Sequence, residues 1–174
     1  MYYYFSASLP ELKPCEPPPL TPEEFDAEAR MQLSARHYAE LTAEPDEAGE
    51  KEQLPRVYRE MLKFEEYLRN RIAMRRAEKL DIAPELEEPE EFYGEVDAAL
   101  PALAALDPAA RERGIDMLRW KKLEEIAQNH DFDFDHVCAY RSQLRIAEKY
   151  RGRDVAAGRE RFEAAVGELA NSKG

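Results

Sequence analysis

Apolar residues between Pro55 and Pro84 recur at one spacing: Val57, Met61, Phe64, Leu68 and Ile72 follow one another at steps of four, three, four and four. That rhythm places them on a single stripe and predicts one amphipathic helix, fading near Leu80. Glu65 precedes Arg69 by four residues, the favourable order for an ion pair on a helix. Phe64 and Leu68 are therefore candidate core residues. Asn70 is costly inside a helix, and reads either as an exposed polar residue or as an amide bonded to a neighbouring helix.

Similar patterns flank this element. Thr21-Pro22-Glu23-Glu24 supplies a capping residue, a proline in the first turn and a capping-box glutamate. The helix it starts carries Phe25, Ala29 and Leu33 on one side and runs to about Leu41. A turn or loop follows from Glu44 through Gly49. A shorter helix is expected from Glu90 to Leu106, bent or divided at Pro101. Asp107-Pro108 then opens a helix with Ile115, Leu118, Trp120, Leu123 and Ile126 over a broad apolar arc, which suits a central position. Asp133 or Asp135 can cap the next helix, whose inner stripe is Val137, Tyr140, Leu144 and Ala147, with Ile146 and Tyr150 beside it. Asp154 would cap a last helix facing inward through Val155, Phe162, Val166 and Leu169, with fraying from Asn171. The pattern predicts an all-α protein: a single domain over residues 1–174, built as a bundle of five or six amphipathic helices.

The first twenty residues form a different lead to this helical body. Tyr2, Tyr3, Tyr4 and Phe5 are consecutive aromatics, costly to leave in water, so they must pack on the chain's own core or on another subunit. Tyr2 to Ser6 is the one stretch that a short strand would fit. Pro10, Pro14, Pro17, Pro18 and Pro19 make the following segment extended.

Composition narrows the class. With 174 residues, 44% of them hydrophobic and 36% charged, the chain can bury one sizeable core and is too charged to be a membrane protein. It holds no run of the roughly 20 apolar residues that cross a bilayer and no signal-peptide pattern, so a cytoplasmic protein is expected. A net charge of −12 opposes nucleic acid and anionic membranes. Two cysteines, Cys15 and Cys138, make no disulfide framework. Cys138 reads as a small core hydrophobe.

Candidate chemistry is sparse. His130-Asp131-Phe132-Asp133-Phe134-Asp135-His136 starts like a calcium loop, but His136 replaces the required glycine and Ser142 the bidentate glutamate. A transition-metal site from His130, His136 and an aspartate is the sharper alternative. The preferred reading is a helix junction in which Phe132 and Phe134 plug the core and aspartates stabilise the next helix. His37 reads as a surface or edge-of-core histidine. No glycine-rich phosphate loop or nucleophile elbow occurs. No catalytic residue, metal or cofactor is expected. Arg71, Arg75 and Lys79, spaced by four, form a basic ridge that is either solvated or docks an acidic partner.

Three segments together resemble a known family. They are Met1-Tyr-Tyr-Tyr-Phe-Ser-Ala-Ser-Leu-Pro10 with Pro18-Pro-Leu-Thr-Pro-Glu-Glu-Phe25, then Phe64-Glu-Glu-Tyr-Leu-Arg-Asn-Arg-Ile-Ala-Met-Arg-Arg-Ala-Glu-Lys-Leu80, and Leu118-Arg-Trp-Lys-Lys-Leu-Glu-Glu-Ile126 with Phe132 through Tyr140 and Leu144-Arg-Ile-Ala-Glu148. The combination is similar to a bacterial family of uncharacterised, DUF2764-like proteins encoded beside V-type ATPase subunits, and distantly resembles the C subunit of V/A-type ATPases. The resemblance implies an all-helical, non-catalytic structural or accessory subunit that contacts stalk or rotor components. Its membrane association would be indirect, through the complex. The chain is shorter than a C subunit, which implies a reduced version, one lobe's worth of contact surface, or an accessory protein for assembly. Carried onto this sequence, the resemblance implies an interface at Tyr2, Tyr3, Tyr4, Asn70 and Arg71, which the ridge residues Arg75 and Lys79 would extend, while Trp120 and Tyr140 are expected in the core. A stand-alone helical adaptor for another cytoplasmic protein is the competing expectation.

Overall fold

The computed structural model describes residues 2–43, 53–81 and 91–152. These form seven helices: α1 (Tyr2–Ser8), α2 (Pro22–Gln32), α3 (Ala35–Thr42), α4 (Arg56–Leu80), α5 (Gly94–Ala104), α6 (Pro108–Ala127) and α7 (Phe134–Glu148). The protein is all-α, with no strand among the described residues. The expected turn at Glu44 to Gly49, the helix capped by Asp154 with Val155, Phe162, Val166 and Leu169, and the fraying from Asn171 all lie outside the described residues.

Two of these helices replace other expectations. Tyr2 to Ser8 is helical rather than a strand, because Phe5 and Ser6 are buried and this places one helical face on the core. The expected helix from Thr21 to Leu41 is two. Leu33 turns extended, and Ser34 caps a new helix by accepting from the His37 N–H at 3.2 Å. The α2 start follows its sequence signal: Glu24 N–H donates to Thr21 Oγ1 at 3.1 Å, and Thr21 N–H to Glu24 Oε2 at 2.8 Å. Likewise Asp107 caps α6 through the Ala109 and Ala110 N–H groups, with Pro108 in the first turn. Pro101 sits inside α5, which continues through it as one helix.

α6 packs against α4, α5 and α7, while α7 also packs against α1, α2 and α4. Their side chains form two hydrophobic clusters. The larger gathers Phe5, Phe25, Leu41, Val57, Trp120, Leu123, Val137, Tyr140 and Leu144, among others. The smaller joins Phe64, Tyr67 and Leu68 to Tyr93, Val96 and Leu100. Met61 packs against both, so the apolar stripe of α4 runs from one cluster into the other. Within the larger cluster Phe25 stacks between Phe5 and Tyr140, with ring centroids 5.7 and 5.4 Å away.

Polar bonds fix how the helices meet. Asp116 of α6 has a side chain with no exposed surface. It accepts from Arg119 Nη1 at 3.0 Å, Lys149 Nζ at 2.7 Å and Tyr150 Oη at 3.0 Å. Arg119 also grips Glu65 of α4 with two nitrogens, at 2.6 and 3.0 Å. Arg141 of α7 holds Asp26 of α2 the same way, at 2.9 and 3.2 Å. Arg56 joins three helix ends: its Nε reaches Asp135 at 2.7 Å and its Nη2 reaches the Ile126 carbonyl at 2.9 Å. The segment between α1 and α2 is tied to the far end of the chain. Tyr140 Oη donates to the Pro10 carbonyl at 2.8 Å, and Arg151 Nη2 donates to the carbonyls of Pro18 and Leu20 at 3.1 and 2.9 Å.

Removing the Asp116 carboxylate leaves a buried phenol and two cations without their shared acceptor. Asp116→Ala is expected to cost about 3 kcal/mol of unfolding free energy in urea titration.

Candidate functional site

The amino-terminal aromatics divide between inside and outside. Phe5 is core. Tyr2 is half-buried, hydrogen-bonded through its hydroxyl to the His37 ring and packed against Phe134 with centroids 5.8 Å apart. Burial, with the Glu40 and Cys138 side chains nearby, raises the Tyr2 pKa above its ordinary value. His37 thus takes the edge-of-core place, and Ser34 meets the same ring at 3.1 Å. Tyr3 and Tyr4 face outward, 54% and 80% exposed. Phe132, expected to plug the core, is 53% exposed and lies against the Tyr3 ring at 4.7 Å. The correction has a geometric cause. Phe132 precedes the Asp133 cap and sits outside the first turn of α7, while Phe134 begins that helix and packs on the core. Tyr3, Tyr4 and Phe132 therefore form one exposed aromatic patch, with Tyr3 edge-on to Tyr4 at 5.7 Å.

The histidine–aspartate stretch is a helix start. Asp133 Oδ1 accepts from the N–H groups of Asp135 and His136 at 2.9 and 3.2 Å, and its other oxygen bonds the His130 ring. Among the described residues no group of three His, Cys, Asp or Glu side chains could hold a metal ion. Burial opposes ionisation of Asp133, but the bonds from His130 and from the His136 and Asp135 backbone outweigh it and hold its pKa below the usual carboxylate value. Burial lowers the His136 pKa, against the pull of Asp131 and Asp133. Burial also pushes the Cys138 thiol up, which fits a core hydrophobe and not a nucleophile.

The basic ridge of α4 is split in the same manner as the tyrosines. Arg71 turns onto α5, paired with Asp97 and lying over the Tyr67 ring at 5.9 Å. Tyr67 donates to the same carboxylate at 2.6 Å. Arg71 thus belongs to the α4–α5 contact, and Asn70 beside it is half-buried. Arg76 and Lys79 are exposed, and Arg75 is half-buried like Arg71 but in no ion pair among the described residues. Arg75, Arg76 and Lys79 line a cleft between α4, α5 and α6 whose apolar wall is Ile72, Leu100, Leu103 and Ile115. The cavity holds about 150 Å³. Arg111, at its α6 side, donates to the Leu103, Ala104 and Leu106 carbonyls at 3.2, 3.2 and 2.9 Å and so closes the end of α5. Trp120, Tyr140, Phe64 and Leu68 are all buried. Neither Asp97 nor the meeting of Ile72 and Ile115 with Leu100 and Leu103 in one wall stood out in the sequence, since each depends on a helix far away along the chain.

Residues 59–173 match the family described as "Protein of unknown function (DUF2764)". The chain belongs to that family. The matched span runs from Arg59, within α4, through α7, and takes in the cleft, Phe132 and the Asp133 cap. No curated protein and no solved structure matches the DUF2764 chain significantly. No helix among its described residues is long and apolar enough to cross a membrane.

Two expectations separate structural from surface groups. Arg71→Ala should lower stability by about 1 kcal/mol through loss of its ion pair and ring contact, while Arg75→Ala stays within about 0.5 kcal/mol in the same denaturant series. Because the folded pKa of Asp133 is depressed, its contribution is complete above the unfolded value near pH 4 and is lost as pH falls through the folded value. Wild type and Asp133→Asn should therefore differ in melting temperature at pH 7 and converge on acidification below pH 4.

Proposed function

We propose that this DUF2764 chain is a non-catalytic structural or accessory subunit of a V/A-type ATPase, C-subunit-like, that contacts stalk or rotor components and meets the membrane only through the complex. The observation that carries the reading is the aromatic patch of Tyr3, Tyr4 and Phe132. These three rings stand in water on a chain whose Phe5, Phe25, Phe64 and Trp120 are buried. Exposed aromatic clusters supply large contact area at low entropic cost and are enriched where proteins meet. The all-helical architecture agrees with the resemblance of the amino end, the α4 segment and the α6–α7 segment to proteins encoded beside such motors. In this reading the chain carries no reaction. Tyr2 supports the patch from behind, through His37 and Phe134, and does not itself touch the partner.

The test is a pull-down of the tagged protein from its native host with mass spectrometry. Stalk or ring subunits are expected with the wild type. Their recovery should fall at least about tenfold for the Tyr3→Ser, Tyr4→Ser, Phe132→Ser variant, with helical content unchanged by circular dichroism. Stalk and ring subunits present in the lysate but missing from the wild-type pull-down would refute the proposal. A different stoichiometric protein in their place would make the chain an adaptor.

A further inference from the structure

We infer that the α4–α5–α6 cleft is a docking site for an acidic protein segment that inserts one large apolar side chain. The inference rests on reading the chain as a protein-binding subunit, and it concerns a surface separate from the aromatic patch. Each of the three helices contributes residues at helical spacing. Ile72, Arg75, Arg76 and Lys79 lie on one face of α4, Leu100, Leu103 and Ala104 on one face of α5, and Arg111 and Ile115 on one face of α6. The floor is therefore aliphatic and the rim cationic.

The charge balance selects the occupant. Four cations line the cleft against one carboxylate, Glu78. Among the described residues no ion pair engages Arg75, Arg76 or Lys79, whereas Arg71, one helical turn earlier, is paired with Asp97. On a chain of net charge −12, these cations beside an apolar hollow are a local reversal of sign, although Arg75 also acts at longer range on Asp97. Such a reversal attracts carboxylates and adds encounter rate and orientation. Size narrows the choice further. A cavity of about 150 Å³ lies below the roughly 300 Å³ at which small-molecule pockets begin, and is the size that accepts a single benzene-like ring. One leucine, phenylalanine or methionine flanked by glutamates or aspartates satisfies both the floor and the rim. A nucleic acid or an anionic bilayer would meet the cations but must also approach a chain of net charge −12.

At Gly114 of α6 the Leu103 side chain of α5 takes the space that a Cβ would fill. A Cβ there would fall 2.2 Å from Leu103 Cδ2, so the glycine gives the Leu103 side chain its place in the wall.

The experiment uses the purified full-length chain and an array of fluorescein-labelled twelve-residue peptides, each with one central residue varied among Leu, Phe, Met, Ser and Gly in Glu-rich, Lys-rich and neutral contexts. Fluorescence anisotropy then measures selected peptides in solution. Binding is expected for Glu-rich peptides with a Leu, Phe or Met centre, weakening as salt rises. Affinity should drop at least about tenfold for the Arg75→Glu, Arg76→Glu, Lys79→Glu variant, and as much for Ala104→Phe, which plugs the cleft without changing charge. Both variants should keep the wild-type circular dichroism spectrum. Should Ala104→Phe fail to fold, Ala104→Leu serves in its place. No bound peptide, binding indifferent to the central residue, or binding unaltered in the plugged variant would overturn the inference. So would binding of single-stranded DNA or phosphatidylserine vesicles with equal strength and equal dependence on both sets of substitutions. Since no ATPase subunit is present, peptide selection alongside an empty pull-down rejects the ATPase reading alone, and the reverse result rejects the cleft alone.

Discussion

The arrangement of helices depends on a carboxylate that has no water. Asp116 lies on α6 with its side chain fully enclosed, and a charge in that position is tolerable only when it is paired and hydrogen-bonded. Arg119, Lys149 and Tyr150 supply those bonds. Two of these donors come from the end of α7 and the turn after it, so the charge fixes the first half of α6 against the last turn of α7. The third is also the arginine that grips Glu65 on α4. One side chain thereby joins α6 to the end of α7 and, through Arg119, to α4. The apolar clusters provide the bulk of the driving force, and the Asp116 network ties α4, α6 and the end of α7 together in one register.

That register decides where the two exposed surfaces lie. The cleft takes Arg111 and Ile115 from the first turns of α6, while Phe132 follows its last turn. From Ile115 to Ala127 the helix rises about 18 Å, so the aromatic patch and the cationic hollow stand at opposite ends of the same rod. The surfaces also differ in chemistry, one aromatic and one basic over aliphatic.

The sequence revealed what depends on local periodicity and capping. The α4 stripe, the Thr21 capping box, and the Asp107 and Asp133 caps each involve residues within four positions of one another. The misread places involve competition between scales. Consecutive tyrosines suggest a strand by propensity, yet Tyr2, Phe5, Ser6 and Leu9 also fall at helical spacing, and packing of Phe5 on Phe25 decides the matter. Ser34 was hidden inside an apparently continuous pattern because Leu33 is buried whether the helix continues or breaks. Arg71 could not be distinguished from Arg75 by sequence, since its partner Asp97 belongs to another helix, 26 positions later. The same reason hid Asp116, whose Lys149 and Tyr150 partners lie 33 and 34 positions away.

The bonds from Tyr140 to Pro10 and from Arg151 to Pro18 and Leu20 close loops of 130, 133 and 131 positions. Such closures are entropically late events, because distant segments must meet before any contact rewards them. On a ribosome adding about 5–20 residues per second, the segment beyond α1 waits on the order of ten seconds for its fasteners to be made. Until then Phe5 and Phe25 have no Tyr140 to complete their stack. The segment from Phe5 to Phe25 is therefore among the last parts to be secured, held only once residues 140–151 have been made.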